Sequence, residues 1–148
     1  MTIAQERVEG KRVRASDISD PLGKIYFLTN MPCSTVKIGF TRNLKKRVDV
    51  LQTGNHHRLE VCCFLTAAPH IERAIQAALA KFRIRNEWFD HDACVDDLIR
   101  KFEEFEIEHG VFTGNYSPVI TDEALSIVLG KWREAWPTAC GNNVDNRQ

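Results

Sequence analysis

Lys24-Ile25-Tyr26-Phe27-Leu28 and Val36-Lys37-Ile38-Gly39-Phe40-Thr41 are two short apolar runs, and the residues between them include the turn formers Asn30, Pro32 and Ser34. Together they predict a β-hairpin. Each strand carries one reactive side chain among residues that favour burial: the phenol of Tyr26 and the ammonium of Lys37. Arg42-Asn43-Leu44-Lys45-Lys46-Arg47 follows as a basic helix start. Leu44, Val48 and Leu51 repeat at i, i+4 and i+7, which predicts a helix from about Asn43 to Gln52, capped by Asn43 or Thr41. Arg47 then stands one turn into that helix, beside the hairpin. A phenol, an ammonium and a guanidinium gathered there suit a phosphodiester.

Outward from this unit, Gly54-Asn55 ends the helix and His56-His57 continues the turn. Two adjacent imidazoles on a loop with no third ligand nearby read as solvated rather than metal-bound. Leu59 to Ala67 is a third strand, apolar enough to be central or covered on both faces. Pro69 starts a helix from about His70 to Phe82, whose Ile71, Ala74, Ile75, Ala78, Leu79 and Phe82 form one stripe. Glu72 falls in its first turn, where the helix dipole favours a carboxylate in any case. Arg83 to Phe89 reads as a turn followed by a short apolar segment packed back on the sheet. Asp92 caps a helix to about Glu108, and Cys94, Leu98, Ile99, Phe102 and Phe105 make its inner stripe. A linker with Gly114, Asn115 and Pro118 precedes a last helix, from Thr121-Asp122-Glu123 to before Pro137. Its apolar residues suit core packing, with a dimer contact as the alternative.

The expected organisation is an arm over residues 1–22, a domain over 23–109, and a linker, helix and frayed tail over 110–148. In the arm, Arg7, Lys11, Arg12 and Arg14 are either an ordinary solvated terminus or contacts to a phosphate backbone. A length of 148 residues suits one domain, and 43% hydrophobic with 27% charged residues is ordinary for a soluble protein. No run approaches the ~20 apolar residues of a spanning helix. The start of the chain has the charges of neither a signal nor a transit peptide, so a cytoplasmic location without membrane contact is expected. The five cysteines are odd in number and lack a CxxC pair; Cys62 and Cys63 should alternate to opposite faces of their strand, and reduced thiols are expected.

Net charge is zero but unevenly distributed. Residues 1–85 hold 15 Lys and Arg against 7 Asp and Glu, and residues 86–148 hold 5 against 13. A basic half with the candidate site and an acidic half turned elsewhere fit a phosphate-binding face, although two solvated surfaces would give the same count.

Taken in order, Ile25-Tyr26, Lys37-Ile38-Gly39, Arg47, Leu51-Gln52-Thr53-Gly54-Asn55, Glu72 and Glu87-Trp88-Phe89 resemble the GIY-YIG endonuclease superfamily over roughly residues 23 to 90. Within it the chain looks like the phage and bacterial subgroup, similar to the T5-phage orf172 domain, whose second motif reads KIG. The resemblance implies an α+β fold, a small three-stranded sheet flanked by helices, here with additional C-terminal helices. It also implies hydrolysis of nucleic-acid phosphodiesters, DNA before RNA, with a single divalent cation, Mg²⁺ or Mn²⁺. By that resemblance Tyr26 acts on the attacking water, Arg47 binds the scissile phosphate and Glu72 ligates the metal. Lys37 is the natural cationic neighbour for the phenol. Gly39, Arg42, Lys46, Gln76 and Asn86 are candidate contacts to phosphate or nucleic acid, and Glu87-Trp88-Phe89 fix the loop after the glutamate helix.

Three positions depart from the pattern. Lys24 stands for the first glycine, Lys37 for the second-motif tyrosine, and Gln76 for a histidine usual in the subgroup. An amide can hydrogen-bond water but cannot shuttle a proton. The alternatives to an endonuclease are therefore a catalytically impaired DNA-binding or regulatory module and a protein-interaction domain. No base-reading element is visible, so structure-selective cleavage, a homodimer or a recruiting protein partner would each supply the target.

Overall fold

The computed structural model describes residues 22–31, 34–110 and 119–140. Residues 1–21 of the expected arm over 1–22, the turn residues Pro32 and Cys33, the linker with Gly114, Asn115 and Pro118, and the tail from 141 lie outside them.

The hairpin forms as the apolar alternation requires. β1 (Gly23–Met31) pairs antiparallel with β2 (Thr35–Thr41), with Tyr26 opposite Gly39 and Leu28 opposite Lys37. Helix α1 (Leu44–Thr53) follows, and the Asn43 side chain accepts from the Lys46 backbone N–H at 3.1 Å as its N-cap. β3 (Arg58–Ala67) returns on the other side of β1. The Gln52 side chain stitches the intervening turn: its amide donates to Asn55 O and His57 O, and its carbonyl accepts from Leu59 N–H at 2.9 Å.

The sheet has five strands where the sequence predicts three. β4 (Arg83–Arg85) and β5 (Trp88–Asp90) form a second small hairpin, and the strand order is β3-β1-β2-β5-β4, antiparallel throughout. Each added strand is three residues long, too short for a period-of-two pattern, and Arg83-Ile84-Arg85 is exposed along its whole length. Asn86, at φ 51°, makes the tight turn between them, a left-handed conformation that asparagine tolerates better than most residues.

β3 lies at the edge of the sheet rather than in its centre. Its apolar run meets the other expectation, cover on both faces: Leu59 and Val61 pack with the α1 cluster and Cys63, Leu65 and Ala67 with the larger core, and a bulge at Cys62 sets Phe27 opposite Cys63 and Leu28 opposite Val61. The bulge also overturns the expected alternation of the two thiols, because Cys62 and Cys63 both pack against the larger core.

That larger core lies on one face of the sheet, where Ile25, Phe27, Val36, Ile38, Cys63 and Leu65 meet α2 (Pro69–Ala78), α3 (Ala93–Gly110) and α4 (Asp122–Ala135). A 3₁₀ turn, Ala80–Phe82, completes the helix expected as far as Phe82. Trp132 of α4 is fully buried and its indole N–H donates to Cys94 O at 2.7 Å, so this helix is built into the core of the sheet domain. A short helix, α5 (Pro137–Cys140), follows. On the opposite face a smaller cluster forms from Tyr26, Leu28 and Leu59 under Leu44, Val48 and Leu51 of α1. No helix among the described residues is long and apolar enough to cross a membrane.

Candidate active site

The α1 face of the hairpin carries Tyr26, Leu28, Lys37 and Gly39, because residues two apart on a strand share a face. A Cβ built at Gly39 would lie 2.5 Å from Tyr26 Cζ and closer still to the hydroxyl. The glycine is therefore what lets the phenol lie across β2, and Tyr26 ends only 1% exposed. Arg47, one turn into α1, donates from Nε to the Tyr26 hydroxyl at 3.3 Å. That hydrogen bond holds the guanidinium more firmly protonated than usual, against a smaller opposing effect of burial. The phenol oxygen is thus the acceptor of this bond.

Lys37 sits one diagonal step from Tyr26 and is 9% exposed. The sequence reading gives it to the phenol; the cation on the phenol is Arg47, and Lys37 Nζ is held instead by Glu87 Oε1 at 3.0 Å. Its ammonium also lies 5.7 Å from the centroid of Trp88, its partner on β5. Glu87 is thus more than a loop residue. Its side chain fixes the lysine, and its backbone carbonyl accepts from Ile38 N–H at 2.9 Å. The signal was present in Glu87-Trp88-Phe89, but nothing in sequence pairs residue 87 with residue 37.

Glu72 comes from α2, which packs on the other face of the sheet and is tied to β2 through Gln76 at Ile38. Gln76, one turn later, anchors it: the Gln76 amide donates to Ile38 O at 2.8 Å and to Glu72 Oε2 at 3.2 Å. Both amide hydrogens are spent inside the protein, so Gln76 positions Glu72 rather than donating to a phosphate. The Glu72 carboxyl is pushed above the usual carboxylate range, first by burial and then by the charge of Glu87. Arg73, Lys37 and the Gln76 bond oppose that rise, which also locates Glu72 electrostatically beside the Lys37–Glu87 pair. Among the described residues the hydrogen bonds of Glu72 run to Gln76, and those of Tyr26 to Arg47.

The remaining expected residues sit at the rim. Arg42 and Lys46 are exposed at the start of α1, with the Arg42 guanidinium 5.2 Å from the Phe40 ring. Asn86 is exposed, and its conformation makes the β4–β5 turn. His56 and His57 lie with ring centroids 4.3 Å apart.

Whether a metal fits can be judged from the donors. No group of three or more His, Cys, Asp or Glu side chains comes together among the described residues, which does not suit a closed zinc cage. A half-buried carboxylate with one oxygen uncommitted does suit Mg²⁺, which keeps several waters and takes one or two protein carboxylates.

Fold and site together define a small α+β domain with a guanidinium-bonded phenol on its central hairpin and a carboxylate-bearing helix at the hairpin's edge. Residues 23–106 match the family model described as the T5orf172 domain, and the chain belongs to that family, which is related to GIY-YIG and similar endonuclease-type domains. No curated protein and no solved structure matches the chain.

Proposed function

We propose that this protein is a metal-dependent endonuclease of the GIY-YIG type, of the subgroup with a KIG second motif, and that it hydrolyses phosphodiester bonds in DNA. The observation that carries the reading is the Arg47–Tyr26 hydrogen bond, which joins a phosphate-binding guanidinium to a proton-handling phenol at one point on the sheet. In-line attack on a phosphodiester needs an oriented water, neutralisation of the non-bridging oxygens and stabilisation of the departing alkoxide. Tyr26 orients the water and exchanges a proton with it. Arg47 offers a planar fork to the phosphate, and an ammonium at that position would lack its geometry. Lys37, fixed by Glu87, adds positive charge to the same face. Glu72 would hold a divalent cation, whose bound chemistry is neutralisation of charge on phosphate and leaving oxygens. Gln76 keeps that carboxylate aimed.

Plasmid nicking with Mg²⁺ or Mn²⁺ tests this directly. Wild-type protein should nick, Arg47→Ala and Glu72→Gln should not, and Glu72→Gln should keep its affinity for DNA. Affinity should fall steeply with added salt, since phosphate contacts release counterions. Glutamine at position 76 favours a second reading, a binding module without turnover, because its amide hydrogens are committed to Ile38 and Glu72. Salt-sensitive DNA binding with no cleavage by the wild type would select that reading.

A further inference from the structure

The face of the sheet that carries Tyr26 and Lys37 does not end with them. Beyond the cover of α1 it opens into a cleft of about 370 Å³, lined by Asn30, Thr35, Ile84, Arg85 and Trp88. That volume is near the lower end of the range for small-molecule sites, roughly 300–1,000 Å³. Four strands contribute: Asn30 from the end of β1, Thr35 from the start of β2, Trp88 from β5 and the Ile84-Arg85 pair from β4. The active site and the cleft share a wall, since Trp88 pairs with Lys37 across β2 and β5 and lies under its ammonium. Tyr26 and Asn30 are four residues apart on one strand, about 13 Å, the span of a few nucleotides.

The chemistry of the lining is selective. Trp88 is a partly exposed aromatic surface, and it is the tryptophan of this face, Trp132 being buried in the opposite core. Ile84, 57% exposed, gives an apolar wall. The Thr35 hydroxyl donates to Asn30 Oδ1 at 2.5 Å, so the amide's two N–H donors remain for a ligand among the described residues. Arg85 is exposed and has no acidic partner among the described residues. A flat heteroaromatic with acceptor atoms on its rim, attached to an anion, meets all four.

We infer that this cleft receives one unstacked nucleobase of the strand lying across Tyr26 and Arg47, stacked on Trp88 and hydrogen-bonded by Asn30, with Arg85 on its neighbouring phosphate. The inference rests on the nuclease reading and deepens it. It supplies what the sequence lacks, a place where the protein touches a base, and it makes the preferred substrate one whose bases are already unpaired or easily extruded.

The test is equilibrium binding of a fluorescein-labelled single-stranded oligodeoxynucleotide in EDTA, where nothing is cut, with an abasic site moved through the sequence. On wild-type protein one abasic position should weaken binding about tenfold, the effect of losing a stacked base. Trp88→Leu should bind the intact strand about tenfold more weakly and be indifferent to that abasic position, so that the two losses do not add. Trp88 also packs against the α1 cluster, so Ile84→Ala, at an exposed wall, carries the same test with a smaller loss. Losses that add for both variants, in a protein that still binds and nicks DNA, overturn the base cleft and leave the nuclease. A wild-type protein that neither binds the oligonucleotide nor nicks plasmid overturns both.

Discussion

Lys37 and Glu87 grip each other at 3.0 Å, an ammonium that is nearly buried against a carboxylate that is 41% exposed. Removing one partner of a fully buried pair costs about 3–5 kcal/mol, because a charge is left behind without compensation. Here the exposed side of Glu87 admits water, so Glu87→Gln should destabilise the fold by less, about 1–3 kcal/mol in urea unfolding. Lys37→Met with Glu87→Gln should be more stable than the glutamine variant alone. A double variant whose loss equals the sum of the single losses would mean the pair is not coupled.

Gly39 should be intolerant of even one methyl group. Alanine there would meet the Tyr26 ring within 2.5 Å, and overpacking of this kind costs about 1–3 kcal/mol. In a Tyr26→Ala background the collision is gone, so the same Gly39→Ala change should cost little. The comparison separates the collision from any general weakness of a glycine-free strand. Equal costs in both backgrounds, read from denaturation midpoints, would place the strain elsewhere.

Arg47→Lys keeps the charge and removes the fork. The fold should persist, since Leu44, Val48 and Leu51 hold α1 down without help from residue 47. Cleavage should fall about 10²–10³-fold, the usual effect of removing one donor from a developing oxyanion. DNA affinity should change far less, because one positive charge is exchanged for another. A lysine variant that cleaves within a few-fold of wild type would remove Arg47 from the phosphate.

Metal should register as stability before it registers as activity. On the proposed reading, Mg²⁺ at Glu72 would stabilise the folded state by RT ln(1 + [L]/Kd), about 2.7 kcal/mol at one hundred times Kd. The melting temperature of the wild type should therefore rise with Mg²⁺ and return on adding EDTA. Glu72→Gln should melt at one temperature in both. A shift of the same size in the glutamine variant would put the cation at another carboxylate.

Much of this fold can be read from local pattern. The β1–β2 hairpin, α1 with its Asn43 cap, and the inner stripe of α3 all follow from periodicity and capping residues within a dozen positions of one another. What escapes is non-local or too brief. β4 and β5 are three residues each, and their strand character comes from pairing, β5 with β2 and β4 with β5, rather than from their own composition. A single inserted residue at Cys62 turns both thiols to one side, and no spacing rule announces a bulge. The same holds at the site. Tyr26, Arg47 and Glu72 stand out by residue type and order, whereas Gln76 and Glu87 act through partners 38 and 50 residues away.

Glu106, on α3, predicts a pH dependence. One of its carboxylate oxygens is buried without a hydrogen-bond partner among the described residues, in a cleft with Leu44, Val61, Cys62, Cys63, Phe64 and Glu103. Its pKa is raised, first by burial and then by the charge of Glu103, with Lys24 opposing. A carboxyl whose folded pKa exceeds its unfolded value binds more protons in the folded state, so its contribution to stability is complete below the unfolded value, about 4.3. That contribution is lost as pH rises through the folded value. Unfolding free energy measured in urea from pH 4 to 8 should therefore contain a downward component that Glu106→Gln removes, and the variant should match or exceed wild type at neutral pH. Identical slopes in the two proteins would mean that water reaches the orphaned oxygen and that its charge is not penalised.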